Sequence, residues 1–99
     1  MQTLFSIIIS TYNRCDHLRT TLESMLLLQV DGSFEYEIIV INNNSQDQTD
    51  LIIKNLQLKF NNRLFYYHEL RQGKSFALNT AIEKAKGEIL IFTDDDVIV

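Results

Sequence analysis

Apolar positions along the chain follow two alternating rhythms. Four short apolar stretches each end in polar residues: Leu4 to Ile9, broken only by Ser6, then Tyr36 to Ile41, Leu64 to Tyr67, and Glu88 to Thr93 with its leading glutamate. Runs rich in Ile, Leu, Val and Phe read as strands buried on both faces. The third is the shortest and most aromatic, as suits a strand near a sheet edge. Between the runs apolar residues recur at helical spacing. Leu18, Leu22, Met25, Leu26 and Val30 form one such set; Ile52, Ile53, Leu56 and Phe60 a second; Leu78, Ala81, Ile82 and Ala85 a third. Each set predicts one apolar face of a helix. The element order is therefore β-α-β-α-β-α-β.

The connecting residues predict where the helices begin and end. Asn13 is expected to cap the first helix, with Asp16 favouring its N-terminus, and Asp31-Gly32-Ser33 to stop it. Ser45 and Gln48 have the spacing of a capping box for the second helix. Asn61-Asn62 turns the chain into the third strand, and Gly87 is placed as a left-handed stop for the third helix. Helices of this length cross over between parallel strands. Right-handed crossovers with helices on both faces give an α/β fold, a Rossmann-like three-layer α/β/α arrangement. The expected sheet has four parallel strands in the order 3-2-1-4, with a topological switch between the first and fourth. The chain, residues 1–99, is expected to form one domain.

Parallel strands share a carboxyl edge, and open α/β folds bind ligands there. Three polar clusters should meet at that edge: Ser10-Thr11-Tyr12-Asn13, Asn42-Asn43-Asn44-Ser45 and Thr93-Asp94-Asp95-Asp96. The first two precede helix N-termini, whose free N–H groups suit anions. Consecutive carboxylates at a strand end repel one another unless a cation sits among them, and hard cations such as Mg2+ or Mn2+ take oxygen ligands. Two readings of these residues stand side by side. One is a pocket for a nucleotide whose diphosphate carries a metal; the other is a set of polar turns and caps with a solvated acidic end.

Charge narrows the classes of partner. The formal net charge is -4, from 9 basic and 13 acidic residues. Setting aside Asp94, Asp95 and Asp96 leaves nine basic against ten acidic residues, nearly neutral. No basic stripe for nucleic acid and no polybasic membrane patch is present. The hydrophobic fraction of 45% is that of a globular core, and no apolar run approaches a membrane span. A cytoplasmic location is expected. The single cysteine, Cys15, excludes an internal disulfide and reads as a small filler at a helix start. His17 and His68 are too far apart in context to suggest a zinc pair. There is no G-x-G-x-x-G after the first strand and no complete P-loop motif, although Gly73-Lys74-Ser75 has the tail of one.

Longer stretches carry a family resemblance. Ser6-Ile7-Ile8-Ile9-Ser10-Thr11-Tyr12-Asn13-Arg14 resembles the opening strand of family 2 glycosyltransferases. Glu37-Ile38-Ile39-Val40-Ile41-Asn42-Asn43-Asn44-Ser45-Gln46-Asp47 resembles their second strand and acidic turn. Asn79, Ala81, Ala85, Gly87 and Glu88, followed by Phe92-Thr93-Asp94-Asp95-Asp96, resemble their helix and D-x-D segment. The resemblance covers nearly the whole chain in the family's order and spacing.

It implies the N-terminal half of a GT-A fold, binding a nucleotide-diphosphate sugar with Mn2+ or Mg2+. By that resemblance Ser10, Thr11, Tyr12 and Asn13 line the donor nucleotide, with Tyr12 stacking on the base. Asn43 falls where the family has an Asp that reads the base, and Arg71 and Lys74 lie near the base or diphosphate. Asp94 approaches the ribose and metal, Asp95 the sugar, and Asp96 ligates the metal. An amide at Asn43 both donates and accepts, which matches uracil or thymine and favours UDP- or dTDP-sugars weakly. The family's general base and acceptor site lie beyond residue 99, so an inverting transferase is expected of a longer parent, with a glycan or lipid acceptor and a peripheral association with the membrane. This stretch alone is expected to be inactive, and its apolar end Val97-Ile98-Val99 to favour self-association. The alternative is a non-catalytic nucleotide-binding or assembly module. A phosphoacceptor domain fits less well, because it needs an acidic pair after the first strand.

Overall fold

The computed structural model describes residues 3–26, 34–60 and 62–93. Its elements are β1 (Thr3–Thr11), α1 (Cys15–Met25), β2 (Phe34–Asn42), α2 (Thr49–Gln57), β3 (Leu64–His68), α3 (Lys74–Lys84) and β4 (Ile89–Thr93). The four strands form one parallel sheet in the order β3-β2-β1-β4. The element order is the one the hydrophobic pattern predicts, and the strand order is the expected 3-2-1-4.

Handedness explains which face each helix takes. The first two crossovers step the same way across the sheet, so right-handed connections put α1 and α2 on one face. The third steps back past two strands and puts α3 on the other. The core divides accordingly. Ile9, Ile38, Val40 and Leu64 pack with Leu18, Leu22 and Met25 of α1 and Ile52, Ile53 and Leu56 of α2. On the opposite face Ile8, Ile39 and Ile41 meet Ala77 and Ala81 of α3. Small residues there let α3 lie close to the sheet. Among the described residues no helix is long and apolar enough to cross a membrane.

Several local expectations are corrected. The inner face of α3 is Ala77 and Ala81, with Leu78 and Ala85 partly buried beside them; Ile82 is exposed. Strand β4 is an edge strand among the described residues, and Ile89, Ile91 and Phe92 are exposed rather than buried on both faces. A long apolar run has the same composition whether or not a neighbour covers it, so the run alone could not tell. Val30, the stop at Asp31-Gly32-Ser33, Asn61 and the end Val97-Ile98-Val99 lie outside the described residues. Asn62 does turn the chain, at φ 69°.

Gly87 has a different task from the expected left-handed stop. The left-handed glycine is Gly73, at φ 132°. A Cβ on Gly87 would lie 2.5 Å from Ser6 Oγ, 2.7 Å from Ser6 N and 2.9 Å from the Leu4 carbonyl oxygen. Its hydrogen is what allows the chain leaving α3 to press onto β1. The Gly87→Ala substitution is therefore expected to cost about 1–3 kcal/mol through overpacking against backbone that cannot retreat. Urea unfolding checks this, and a midpoint equal to that of the parent chain would refute the close-approach explanation.

Candidate functional site

Two loops at the carboxyl edge are stitched into one unit. After β1 the chain turns through Asn13 at φ 51°, and after β2 through Asn44 at φ 65°, a region that Asn tolerates better than other side chains. The Asn43 N–H donates to the Thr11 carbonyl at 2.9 Å. The Asn13 N–H donates to Ser45 Oγ at 3.0 Å, and the Gln46 N–H to Asn13 Oδ1 at 2.6 Å. The first N–H of α1, on Cys15, donates to Asp47 Oδ2 at 3.1 Å. Thus α1 is capped from the neighbouring loop, not by Asn13 as expected. The expected capping box does not form either: α2 starts at Thr49 with no side-chain cap from its N-cap residue, and Ser45 serves the first loop instead. Asp47 Oδ1 takes the Thr49 N–H at 3.0 Å and the Thr49 hydroxyl at 2.5 Å. Partial burial pushes the Asp47 carboxyl up, but the Thr49 hydroxyl and the N–H groups of Thr49 and Cys15 outweigh it and hold it below the usual range.

A third loop, residues 69–73, is fastened to the same edge by Asn43. Its side-chain amide donates to the Glu69 carbonyl at 3.1 Å and the Arg71 carbonyl at 2.7 Å, while its Oδ1 accepts the Gly73 N–H at 3.0 Å. Gln72 returns a bond from its own amide to the Asn43 carbonyl at 3.0 Å. Asn43 is 5% exposed. With both N–H donors committed, it has none to offer a base. The expected weak preference for UDP- or dTDP-sugars, which rested on an amide that both donates and accepts, loses its physical basis.

Arg71 is also engaged. Its Nε and Nη2 donate to the two carboxylate oxygens of Glu69 at 3.1 and 2.8 Å, and its guanidinium lies 4.7 Å from the centre of the Phe76 ring. The carboxylate is fixed from two further sides, by the Arg71 N–H at 2.9 Å and the Thr80 hydroxyl at 2.7 Å. Arg71, with Thr80 assisting, holds the Glu69 carboxyl down at about 2. Glu69 did not stand out in the sequence as a member of the site, and Asp47 entered only as the end of the acidic turn, with no role of its own. The signals were present, an acid two residues before an arginine and an acid at the end of an amide-rich turn, but they do not say which loop the acid will serve.

The candidate residues are placed as follows. Ser10 is half-buried, Thr11 buried, and Tyr12 and Asn13 exposed at the end of β1. Lys74 is exposed as the first residue of α3, whose N-terminus opens on the same edge. Strand β4 ends at Thr93, level with Ile9 of β1, so its carboxyl end opens at this edge too. Asp94, Asp95 and Asp96 follow directly and lie outside the described residues. His17 is exposed, and His68 pairs with Asp50 at 3.3 Å at the far edge strand.

Two consequences of this geometry can be measured. Replacing Asn43 by Asp turns an oxygen toward two carbonyls and should cost about 2–4 kcal/mol in buried hydrogen bonds; thermal unfolding at pH 7 reads it, and an unchanged melting point would refute the clamp. Glu69 titrates lower in the folded chain, about 2 against an ordinary 4.5. The unfolded chain then binds the proton more readily between those values, so the stabilisation is complete above about pH 4.5 and is lost as pH falls toward about 2. Acid unfolding of Glu69→Gln should be shallower over that window, and curves that superimpose would show that the pair contributes nothing.

Comparison with known proteins supplies the family. The model of Glycosyl transferase family 2 matches residues 6–99. Glycosyltransferase AglE of Haloferax volcanii is 33% identical over 91 residues, 92% of this chain and 30% of that protein. Among solved structures, the mannosyltransferase PcManGT from Pyrobaculum calidifontis, in complex with GDP-Man and Mn2+, superposes with a TM-score of 0.83 at 27% identity, over 97% of this chain and 28% of its own. Staphylococcus aureus TarS 1-349 in complex with UDP-GlcNAc gives a TM-score of 0.78 at 29% identity, over 97% of this chain and 27% of its own. The chain thus spans under a third of the length of these relatives. Its motifs, its sheet order and these likenesses agree, and the chain belongs to glycosyl transferase family 2, with the GT-A fold.

Proposed function

We propose that the chain forms the donor-binding part of a glycosyltransferase that moves a sugar from a nucleotide diphosphate to an acceptor hydroxyl. One observation carries this: the loops after β1 and β2, the loop before α3 and the end of β4 all open on one edge of the sheet. The loops bring an exposed aromatic ring, Tyr12, and a helix N-terminus with Lys74. The strand ends immediately before three carboxylates.

A divalent ion is supported by donor chemistry. Three consecutive carboxylates supply hard oxygen ligands, and they account for most of the chain's net negative charge. Asp94 and Asp96 would hold Mn2+ or Mg2+, and the ion would neutralise the charge that develops on the departing diphosphate. Tyr12 offers its ring to the base, and Ser10, Thr11 and Asn13 shape the wall beside it. Asp95 faces the sugar in this reading. Arg71, which also pairs with Glu69, and Lys74 are the candidate cations for the phosphates in this reading. Asn43 acts by fixing the loop that leads to Lys74. General-base catalysis and acceptor binding belong to further polypeptide, so the chain alone is proposed to bind donor without transferring it. The acceptor is proposed to be a glycan or lipid. We place the protein in the cytoplasm at a membrane periphery, with the β4 edge a candidate for self-association.

Without a free amide donor at Asn43, base selection should be weak. UDP and GDP are expected to bind the chain within about tenfold of each other in the presence of Mn2+. The Asp96→Ala substitution is expected to lower UDP affinity at least about tenfold with Mn2+ present and to leave it unchanged in chelator. Titration calorimetry reads both. Equal affinity for UDP with and without Mn2+ in the parent chain would remove the metal from the reading, and no binding at millimolar UDP would remove the donor site.

A further inference from the structure

An exposed arginine ordinarily keeps much of its rotamer freedom, because a long side chain in water gains little from any single partner. Arg71 does not. Its side chain is 64% exposed, yet it is held at the backbone, along one edge of the guanidinium and against one face. The Arg71 N–H donates to Glu69 Oε2 at 2.9 Å, and the Arg71 carbonyl accepts from Asn43 Nδ2 at 2.7 Å. Nε and Nη2 donate to Glu69 Oε2 and Oε1 at 3.1 and 2.8 Å. The Phe76 ring lies under Cζ, with its centre 4.7 Å away.

The support comes from α3. The Thr80 hydroxyl donates to Glu69 Oε1 at 2.7 Å, and Glu69 is buried beneath the pair. Phe76 and Thr80 stand one turn apart on the same side of the helix. The helix is itself fixed, by Ala77 and Ala81 packed on the sheet. Glu83, further along α3, adds a weaker attraction to the guanidinium. A loop arginine is thus aimed by a helix.

A guanidinium carries its N–H donors in a rigid planar fork. The carboxylate takes the Nε–Nη2 edge, so the Nη1 end is turned away from Glu69 in a direction set by the edge and face already held. Planar N–H groups presented in this way receive phosphate oxygens with defined geometry. We propose that Phe76 and Thr80, with Glu69, are positioning residues that aim the Arg71 guanidinium at the diphosphate of the donor. The proposal rests on the donor-site reading above, in which Arg71 is a candidate cation for the phosphates. A phosphate that meets a guanidinium already held in place does not have to order it. Losing the hold should cost the ordering of one long side chain, which corresponds to about twofold to tenfold in affinity.

Charge must stay constant in the test. Removing the Glu69 carboxylate would loosen the guanidinium and also leave its charge unopposed, two effects of opposite sign on an anion. The decisive variants are therefore Thr80→Val and Phe76→Leu, which keep every charge, with Phe76→Tyr as the conservative change that keeps the ring. Titration calorimetry measures UDP affinity at constant Mn2+. Ligand-observed NMR measures uridine, which has the base and ribose but no phosphate. Exchange of the Arg71 Nε–H with water reports how firmly the edge is held. In Thr80→Val and Phe76→Leu, UDP affinity is expected to fall about twofold to tenfold, uridine affinity to stay as in the parent, and Nε–H exchange to quicken. Phe76→Tyr should match the parent in all three. A mere staple between the loop and α3 would weaken UDP and uridine alike, because Asn43 ties the same loop to the ends of β1 and β2.

Folded Thr80→Val and Phe76→Leu with the parent's ratio of UDP to uridine affinity overturn the proposal, as does a Phe76→Tyr variant that fails to restore it. Should Phe76→Leu not fold, Thr80→Val decides; should Thr80→Val not fold, the two Phe76 variants decide. If the parent chain binds no UDP, the donor-site reading fails and takes the proposal with it. If the parent binds UDP and the variants leave the ratio unchanged, the positioning alone fails.

Discussion

A buried side-chain amide has two N–H donors and a carbonyl oxygen to satisfy, and leaving any of them unpaired is costly. Asn43 satisfies all of them on the backbone of a single loop. The rest of the carboxyl edge depends on that choice. Because the loop is held from within, Gly73 can take its left-handed geometry, and α3 begins where it does. Because the Asn43 N–H also pairs with Thr11, the ends of β1 and β2 move as one with the loop. A site made of three loops thereby gains the stiffness of the sheet beneath it, which is what positioning of a ligand requires.

Charge at this edge is arranged with similar economy. Glu69 and Arg71 neutralise each other, and the carboxylate is further held by Thr80. Asp47 is spent on the N–H groups of Cys15 and Thr49. The described loops therefore carry little net charge of their own. Most of the net negative charge of the sequence lies in the three carboxylates after Thr93, and adjacent carboxylates repel an anion unless a cation accompanies it. The same reasoning that makes three adjacent carboxylates unfavourable alone makes them suitable with a divalent ion.

The two edges of the sheet do different work. At the carboxyl edge side chains tie loops to one another. At the amino edge Ser6 and Glu37 tie the start of β4 to the centre of the sheet. Polar residues inside strands are usually costly, and here each is fully paired, with no buried side-chain nitrogen or oxygen unpartnered among the described residues. What looks in the sequence like an interruption of an apolar run is a fastening point.

By itself the sequence determined the fold and the family. Periodicity is a property of local chain geometry, so the alternation of buried runs with helical stretches set the elements, and right-handed crossovers with helices on both faces narrowed the order of strands. Helix faces such as Leu18, Leu22 and Met25 were legible for the same reason, and so was the meeting of the loops after β1 and β2 at one edge. Partners distant in sequence were not legible. Asn13 and Ser45 are sound caps by composition, yet each serves the other's loop, because tertiary contact brought a better partner than the local one. Asn43 has the chemistry to read a base, but whether its amide faces a ligand or a backbone depends on where residues 69–73 come to lie. Gly87 was seen as a residue that needs freedom, whereas the structure uses its lack of a side chain. These outcomes turn on distances between residues some thirty to eighty positions apart, and only the folded chain sets such distances.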